Sequence, residues 1–222
     1  MIAAHFSHID TWVFDLDNTL YPPHMRLFDQ IEERMTEWVA RTLSVAAEEA
    51  NRLRKLYWAR HGTTLAGLME EHGMAPEAYL EHVHDISFDV LAPDPGLAKA
   101  IADLPGRRIV YTNGTAPYAR NVIEARGLHG LFDAVYGIEH ARYQPKPRQV
   151  AFEAVFARDG LVPGRAAMFE DDPRNLAAPH EMGMRTVHVA PTSEPAHHID
   201  HHTSDLTGFL AALGPLAAAA RS

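Results

Sequence analysis

T-W-V-F-D-L-D-N-T-L-Y-P-P, Thr11 to Pro23, decides how the chain is read. Trp12–Phe14 is a short apolar run without polar alternation, which is how a strand covered on both faces reads. Two carboxylates, Asp15 and Asp17, follow at once. On an extended strand they would project to one side, about 7 Å apart. Like charges that close repel, so something positive or protic has to answer them.

Four more runs of the same kind lie downstream: Arg108–Tyr111, Ala134–Tyr136, Ala166–Phe169 and Thr186–Val189. Helical patterns over Ala116–Ala125, Arg148–Arg158 and Asn175–Glu181 separate these four. Strand and helix in alternation predict an α/β fold with a doubly wound, Rossmann-like parallel sheet. The stretch between the first and second runs is far too long for one crossover. Within it Leu27, Ile31, Met35, Trp38, Val39 and Leu43 recur at helical spacing, and Ala46–His61 reads as a second helix. Thr63 or Thr64 caps a third, Gly73 stops it, and a fourth starts at Pro76. The expected division is a core of residues 1–21 and 94–222 with an all-helical insert, residues 22–93. Trp38, Tyr57 and Trp58 are expected in the insert's own core.

Composition narrows the function. Lys and Arg total 20 against 29 Asp and Glu, a net charge of −9, which argues against a nucleic acid polymer as partner. Without cysteine there is no disulfide, thiolate metal site or cysteine nucleophile. M-I-A-A-H-F-S-H-I-D lacks the basic start and apolar run of a signal peptide. The alanine-rich tail, Leu210–Ala220, is too short for a membrane span and is broken by Gly214 and Pro215. A soluble, cytoplasmic protein with no membrane partner is expected, its oligomeric state open. P-A-H-H-I-D-H-H, Pro195 to His202, resembles a metal tract, but reads better as a polar stretch between the last strand and a short terminal helix.

Ligands of open parallel sheets bind beyond the carboxyl ends of the strands. Past the first run stand Asp15 and Asp17; past the second, Thr112, Asn113 and Gly114; past the fourth, Glu170, Asp171 and Asp172. Lys146 lies between two prolines, which stiffen its approach. Carboxylates from two strand ends make a hard-oxygen site suited to Mg²⁺. Lys146 and Thr112 can hold phosphoryl oxygens. One aspartate can then attack phosphorus while the other serves the leaving oxygen. Each motif alone is commonplace; four of them at strand ends of one α/β pattern converge on one site.

These motifs resemble those of the haloacid dehalogenase superfamily of phosphohydrolases. D-L-D-N-T-L is similar to its first motif, T-N-G to the second, P-K-P to the lysine motif and F-E-D-D to the acidic fourth, in the family's order. F-D-L-D-N-T-L-Y-P-P, H-G-T-T-L-A-G-L-M, Y-L-E-H-V-H-D-I and G-M-R-T-V resemble its pyrimidine 5′-nucleotidase subgroup, although Tyr118 stands where that subgroup has a histidine. The resemblance implies a small-molecule phosphate ester as substrate, with a pyrimidine nucleoside 5′-monophosphate as the favoured class. Asp15 would be the nucleophile that forms an aspartyl-phosphate, and Asp17 the general acid and then base. Thr112, Asn113 and Lys146 would hold the phosphoryl group. Mg²⁺ would be held by Asp15, the backbone carbonyl of Asp17, and Asp171, with Glu170 in support. The insert falls where the family carries its cap, making Thr63, Thr64, His84 and Asp85 candidates for reading the leaving group.

Four rival readings remain. A sugar phosphatase would use the same site. A 2-haloacid dehalogenase attacks carbon and needs no acid at Asp17. A signalling receiver domain carries its acid pair first and has no insert. A non-catalytic phosphate-binding protein would be expected to lack one of the four motifs.

Overall fold

The computed structural model describes residues 2–213, so the alanine-rich tail beyond Leu213 lies outside the described residues. Six strands form one sheet in the order β3-β2-β1-β4-β5-β6, every pair parallel. They are β1 (Thr11–Phe14), β2 (Arg107–Tyr111), β3 (Ala134–Tyr136), β4 (Ala166–Glu170), β5 (Arg185–Val189) and β6 (His201–Thr203). β1 is central, pairing Val13 with Ile109 on one side and with Met168 on the other. The order reverses there, and such a switch point opens a crevice at the strand ends.

The β1 run is fully buried because alternate side chains serve two cores. Trp12 and Phe14 join one cluster; Val13 joins the other. Phe14 stacks on Phe169 of β4, ring centroids 4.8 Å apart. α5 (Pro95–Ala102), α6 (Ala116–Ala125) and α9 (Leu206–Ala211) cover the first face through Ile101, Val122 and Leu210. α7 (Gln149–Asp159) and α8 (Ala177–Glu181) cover the second through Phe152, Val155 and Ala178. Each fully buried large apolar side chain contributes about 1.5–3 kcal/mol of transfer free energy.

Between β1 and β2 stand α1 (Leu27–Leu43), α2 (Ala47–His61), α3 (Thr64–His72) and α4 (Pro76–Val83). Thr63 caps α3, its side chain accepting from the Ala66 amide at 3.1 Å, and Gly73 ends it at φ 63°. α1 and α2 pack together, α2 on α3 and α1 on α4, and their apolar residues join the first sheet cluster. Tyr57 is buried there, whereas Trp58 is 49% exposed. The expectation that Trp58 belongs to the insert's core is therefore corrected: consecutive helical residues point about 100° apart, and Tyr57 faces inward.

The histidine tract is also corrected. His201–Thr203 pairs with β5 as an edge strand, Val187 opposite His201, where no strand was expected. α5 is a further helix that the sequence reading left unassigned. No helix among the described residues is long and apolar enough to cross a membrane.

Candidate active site

Both N-terminal aspartates lie past the last residue of β1, not on an extended strand as expected. The Asp15 amide still reaches the Phe169 carbonyl at 2.9 Å, so the loop leaves the sheet in register with β4. This sets Asp15, 5% exposed, beside Glu170 at the end of β4. Lys146 enters from across the crevice, itself 1% exposed. Its Nζ donates to Asp15 Oδ1 and Glu170 Oε2, each at 2.6 Å, and to the Tyr111 carbonyl at 3.2 Å. Burial alone would depress the ammonium's pKa; the two carboxylates reverse that and hold it above the ordinary lysine value.

The acids are raised too, which for a carboxyl disfavours the charged form. Burial, then the charge of Glu170, push the Asp15 carboxyl up to about 7 against the pull of Lys146. Burial and Glu170 likewise raise Asp171 well above the usual carboxylate range. Ligand oxygens of Asp15, Glu170 and Asp171 all lie within 4.8 Å of one another, and Asp15 Oδ2 is buried without a hydrogen-bond partner. A triad of carboxylates that crowded, with one oxygen unanswered, fits a hard divalent cation. Glu170 is the most committed of the three, since its second oxygen also accepts from the Asp172 amide at 3.2 Å. Behind Asp171, His188 contacts its backbone carbonyl at 2.9 Å.

Asp17 is held differently. Tyr21 and Tyr118 both donate to its Oδ1, at 2.7 and 2.6 Å. Burial and the charge of Asp15 raise its carboxyl to about 6, while the two phenols pull it down. Sequence reasoning missed both tyrosines as partners. Tyr21 sits four residues beyond Asp17, a spacing that a turn can close; Tyr118, a sequence separation of 101, left no local signal beyond its place one turn into the helix after T-N-G.

Thr112 is 1% exposed, and its Oγ1 accepts from the Gly114 amide at 2.9 Å, which leaves the hydroxyl proton for a ligand. Asn113 departs from expectation. Its side chain clasps the Lys146 backbone, donating to the carbonyl at 3.1 Å and accepting from the amide at 2.8 Å. As a strut for the lysine loop, that side chain has both polar ends engaged.

A cavity of about 800 Å³ joins these groups to the helical insert. Thr63, Thr64 and His84 line it, as do Asn175 and Trp58. Thr63 and Thr64 also serve structure: the first caps α3, and Thr64 Oγ1 donates to the Arg54 carbonyl at 3.3 Å. His84 lies flat on Tyr118, centroids 4.4 Å apart and planes within 8°, with its Nδ1 3.3 Å from Thr115 Oγ1. Burial lowers its pKa to about 4, so it is neutral at physiological pH. Asp85 does not reach the cavity. Its carboxylate is 80% exposed and pairs with Arg34 at 2.9 Å on the outer surface, because α4 ends at Val83 and the chain turns away.

A doubly wound parallel sheet with acids, a lysine and a hydroxyl gathered at its strand ends defines an α/β protein built for polar-group chemistry. Residues 9–183 match the family model described as "Hydrolase: haloacid dehalogenase-like hydrolase", and the chain belongs to that family. Phosphate metabolism protein 8 of Saccharomyces cerevisiae is 25% identical over 190 residues, 77% of this chain. The chain spans only 58% of that relative's length. CbbY from Rhodobacter sphaeroides, solved with xylulose-(1,5)bisphosphate, superposes with a TM-score of 0.65 at 19% identity, over 90% of this chain and 95% of that one. YfnB from Bacillus subtilis, solved with magnesium, gives 0.60 at 16% identity, over 92% and 98%. Those likenesses show a shared fold.

Proposed function

We propose that the chain is a phosphomonoester hydrolase that works through an aspartyl-phosphate on Asp15 and acts on pyrimidine nucleoside 5′-monophosphates. The observation that carries the chemistry is a pair of differently held carboxylates at one cavity. Asp15 has one oxygen on Lys146 and the other without a partner. Asp17 has one oxygen fixed by two phenols, leaving the other for a substrate.

In the first half-reaction the free Asp15 oxygen bonds to phosphorus as the phosphorus–ester bond breaks, and Asp17 gives its proton to the leaving oxygen. In the second, Asp17 takes a proton from water, whose oxygen attacks phosphorus and releases Asp15 and inorganic phosphate. Thr112 donates to a phosphoryl oxygen, and the Lys146 ammonium offsets negative charge beside it. Asn113 keeps Lys146 in place.

Asp15, Asp171 and the backbone carbonyl of Asp17 are the residues that would hold Mg²⁺, with Glu170 in support. Mg²⁺ when bound supplies positive charge against the phosphoryl oxygens. The crowded acids and the orphaned Asp15 oxygen support this assignment.

Residues 22–93 act as a cap that closes the cavity over the ester, with Thr63, Thr64 and His84 on its inner side. The motif resemblance supports a pyrimidine nucleotide, and the yeast relative's name supports phosphate metabolism. A sugar phosphate is the second reading, favoured by the fold shared with CbbY. Phosphate release with Mg²⁺ and with EDTA, from UMP, CMP, ribose 5-phosphate and p-nitrophenyl phosphate, separates them. Metal-dependent release favouring UMP or CMP supports the nucleotide reading. Release from sugar phosphates alone keeps the chemistry and discards the nucleotide.

A further inference from the structure

The cavity does not end at the carboxylates. On its insert side α2 contributes Arg54, which is 8% exposed and lines the same cavity as Glu32 of α1. Arg54 Nη1 donates to Glu32 Oε1 at 2.8 Å, and Nη2 donates to Asn51 Oδ1 at 3.0 Å. Arg54 Nε is buried without a hydrogen-bond partner. A guanidinium carries five donors, and a buried one left short of acceptors is costly until a ligand answers it. Phe28, Ile31 and Leu80 make the surrounding wall apolar.

From this arrangement we infer that Arg54 and Glu32 form the subsite that reads the leaving group, and that it takes a planar heterocycle with a hydrogen-bond acceptor beside an N–H donor, as on a nucleobase edge. This rests on the nucleotide reading above. Arg54 supplies donors to the ring's carbonyl or ring nitrogen. Glu32, through its second carboxylate oxygen, accepts from the neighbouring N–H. A second phosphate or carboxylate on the ligand would meet Glu32's like charge. A polyol would bring hydroxyls against Phe28, Ile31 and Leu80 and leave them unpaired. A flat ring instead buries both faces against apolar side chains while its edge meets the ion pair.

The test compares UMP with ribose 5-phosphate, which keeps the phosphoryl group and sugar and lacks the ring. The ratio of their kcat/KM values isolates what the ring contributes, in wild type, Arg54→Met and Glu32→Gln. Expected is a wild-type ratio of at least about 10 that falls at least about tenfold in Arg54→Met and about threefold or more in Glu32→Gln. If the wild-type enzyme favours UMP and both variants, folded by circular dichroism, keep its ratio within twofold, the subsite is wrong and the nucleotide reading stands. If wild type cleaves both esters alike or prefers ribose 5-phosphate, the nucleotide reading fails and takes the inference with it. Should Arg54→Met not fold, Glu32→Gln decides alone, since it preserves shape while removing the charge and turning one acceptor oxygen into an NH2 donor; an unchanged ratio there overturns the proposal.

Discussion

At the scale of single residues, two aspartates two positions apart differ because their neighbours do. Asp15 faces a lysine and acids; Asp17 faces two phenols. Asp15→Asn is expected to cut turnover by at least about 10³-fold while the circular dichroism spectrum stays that of wild type. Tyr118→Phe removes one of two donors to Asp17, so it should slow esters of alkoxide leaving groups about 3–30-fold and p-nitrophenyl phosphate less, since p-nitrophenolate needs little protonation. Equal losses on both would remove Tyr118 from the positioning of Asp17. His84 gives the pH prediction. Its folded pKa of about 4 lies below the unfolded value of about 6.5, so its contribution is complete above pH 6.5 and is lost as pH falls towards 4. At pH 5 the loss is at most about 2 kcal/mol, or about 4–8 °C in Tm, and His84→Gln should flatten that part of the profile. The acids and the lysine were legible because each follows or flanks a recognisable break in the pattern. The tyrosines were not, because Tyr118 on its helix and Tyr21 in its loop both read as core until tertiary structure turns their hydroxyls onto an acid.

At the scale of elements, caps and stops were legible and edges were not. Thr63 and Gly73 bound α3 as their residue types dictate. β6 escaped because three residues, H-H-T, carry neither an apolar run nor a clear alternation, and an edge strand exposes half its surface. α5 opens on Pro-Gly, a pair that reads as a turn, yet Asp94 caps it by accepting from the Leu97 amide at 2.9 Å. α2 and α3 approach closely at Gly67, where an added Cβ would fall 2.4 Å from Tyr57 Cβ. Gly67→Ala should therefore lower stability by about 1–3 kcal/mol despite alanine's better helix propensity, as read by denaturant unfolding. A more stable variant would mean that the two helices separate freely.

At the scale of the whole molecule, the strand-end chemistry and the insert meet across one cavity, and polar contacts join them in addition to the shared apolar cluster. Arg174, in the turn after Asp172, places its guanidinium 3.5 Å from the Trp58 ring centroid. Arg148, beside the lysine loop, pairs with Glu70 of α3 and donates to the His61 carbonyl at 3.3 Å. Cation–π contacts of this kind contribute about 0.5–2 kcal/mol. Trp58→Ala is expected to raise KM several-fold and to speed amide exchange in α2 and α3, with Asp15 chemistry on p-nitrophenyl phosphate less affected; unchanged exchange would show that Trp58 does not help hold the insert. The parallel sheet and the helical insert were readable from the alternation of patterns; the strand order β3-β2-β1-β4-β5-β6 was not. How the insert sits was not, since half-exposed Trp58 and surface arginines carry no periodic signal.

The most direct test of the account is a rapid acid quench during turnover of p-nitrophenyl phosphate with Mg²⁺, followed by peptide mass spectrometry. The account predicts a phosphoryl adduct on the peptide carrying Asp15 in wild type and none in Asp15→Asn. Steady turnover with no adduct on that peptide, or an adduct that persists in Asp15→Asn, would contradict it.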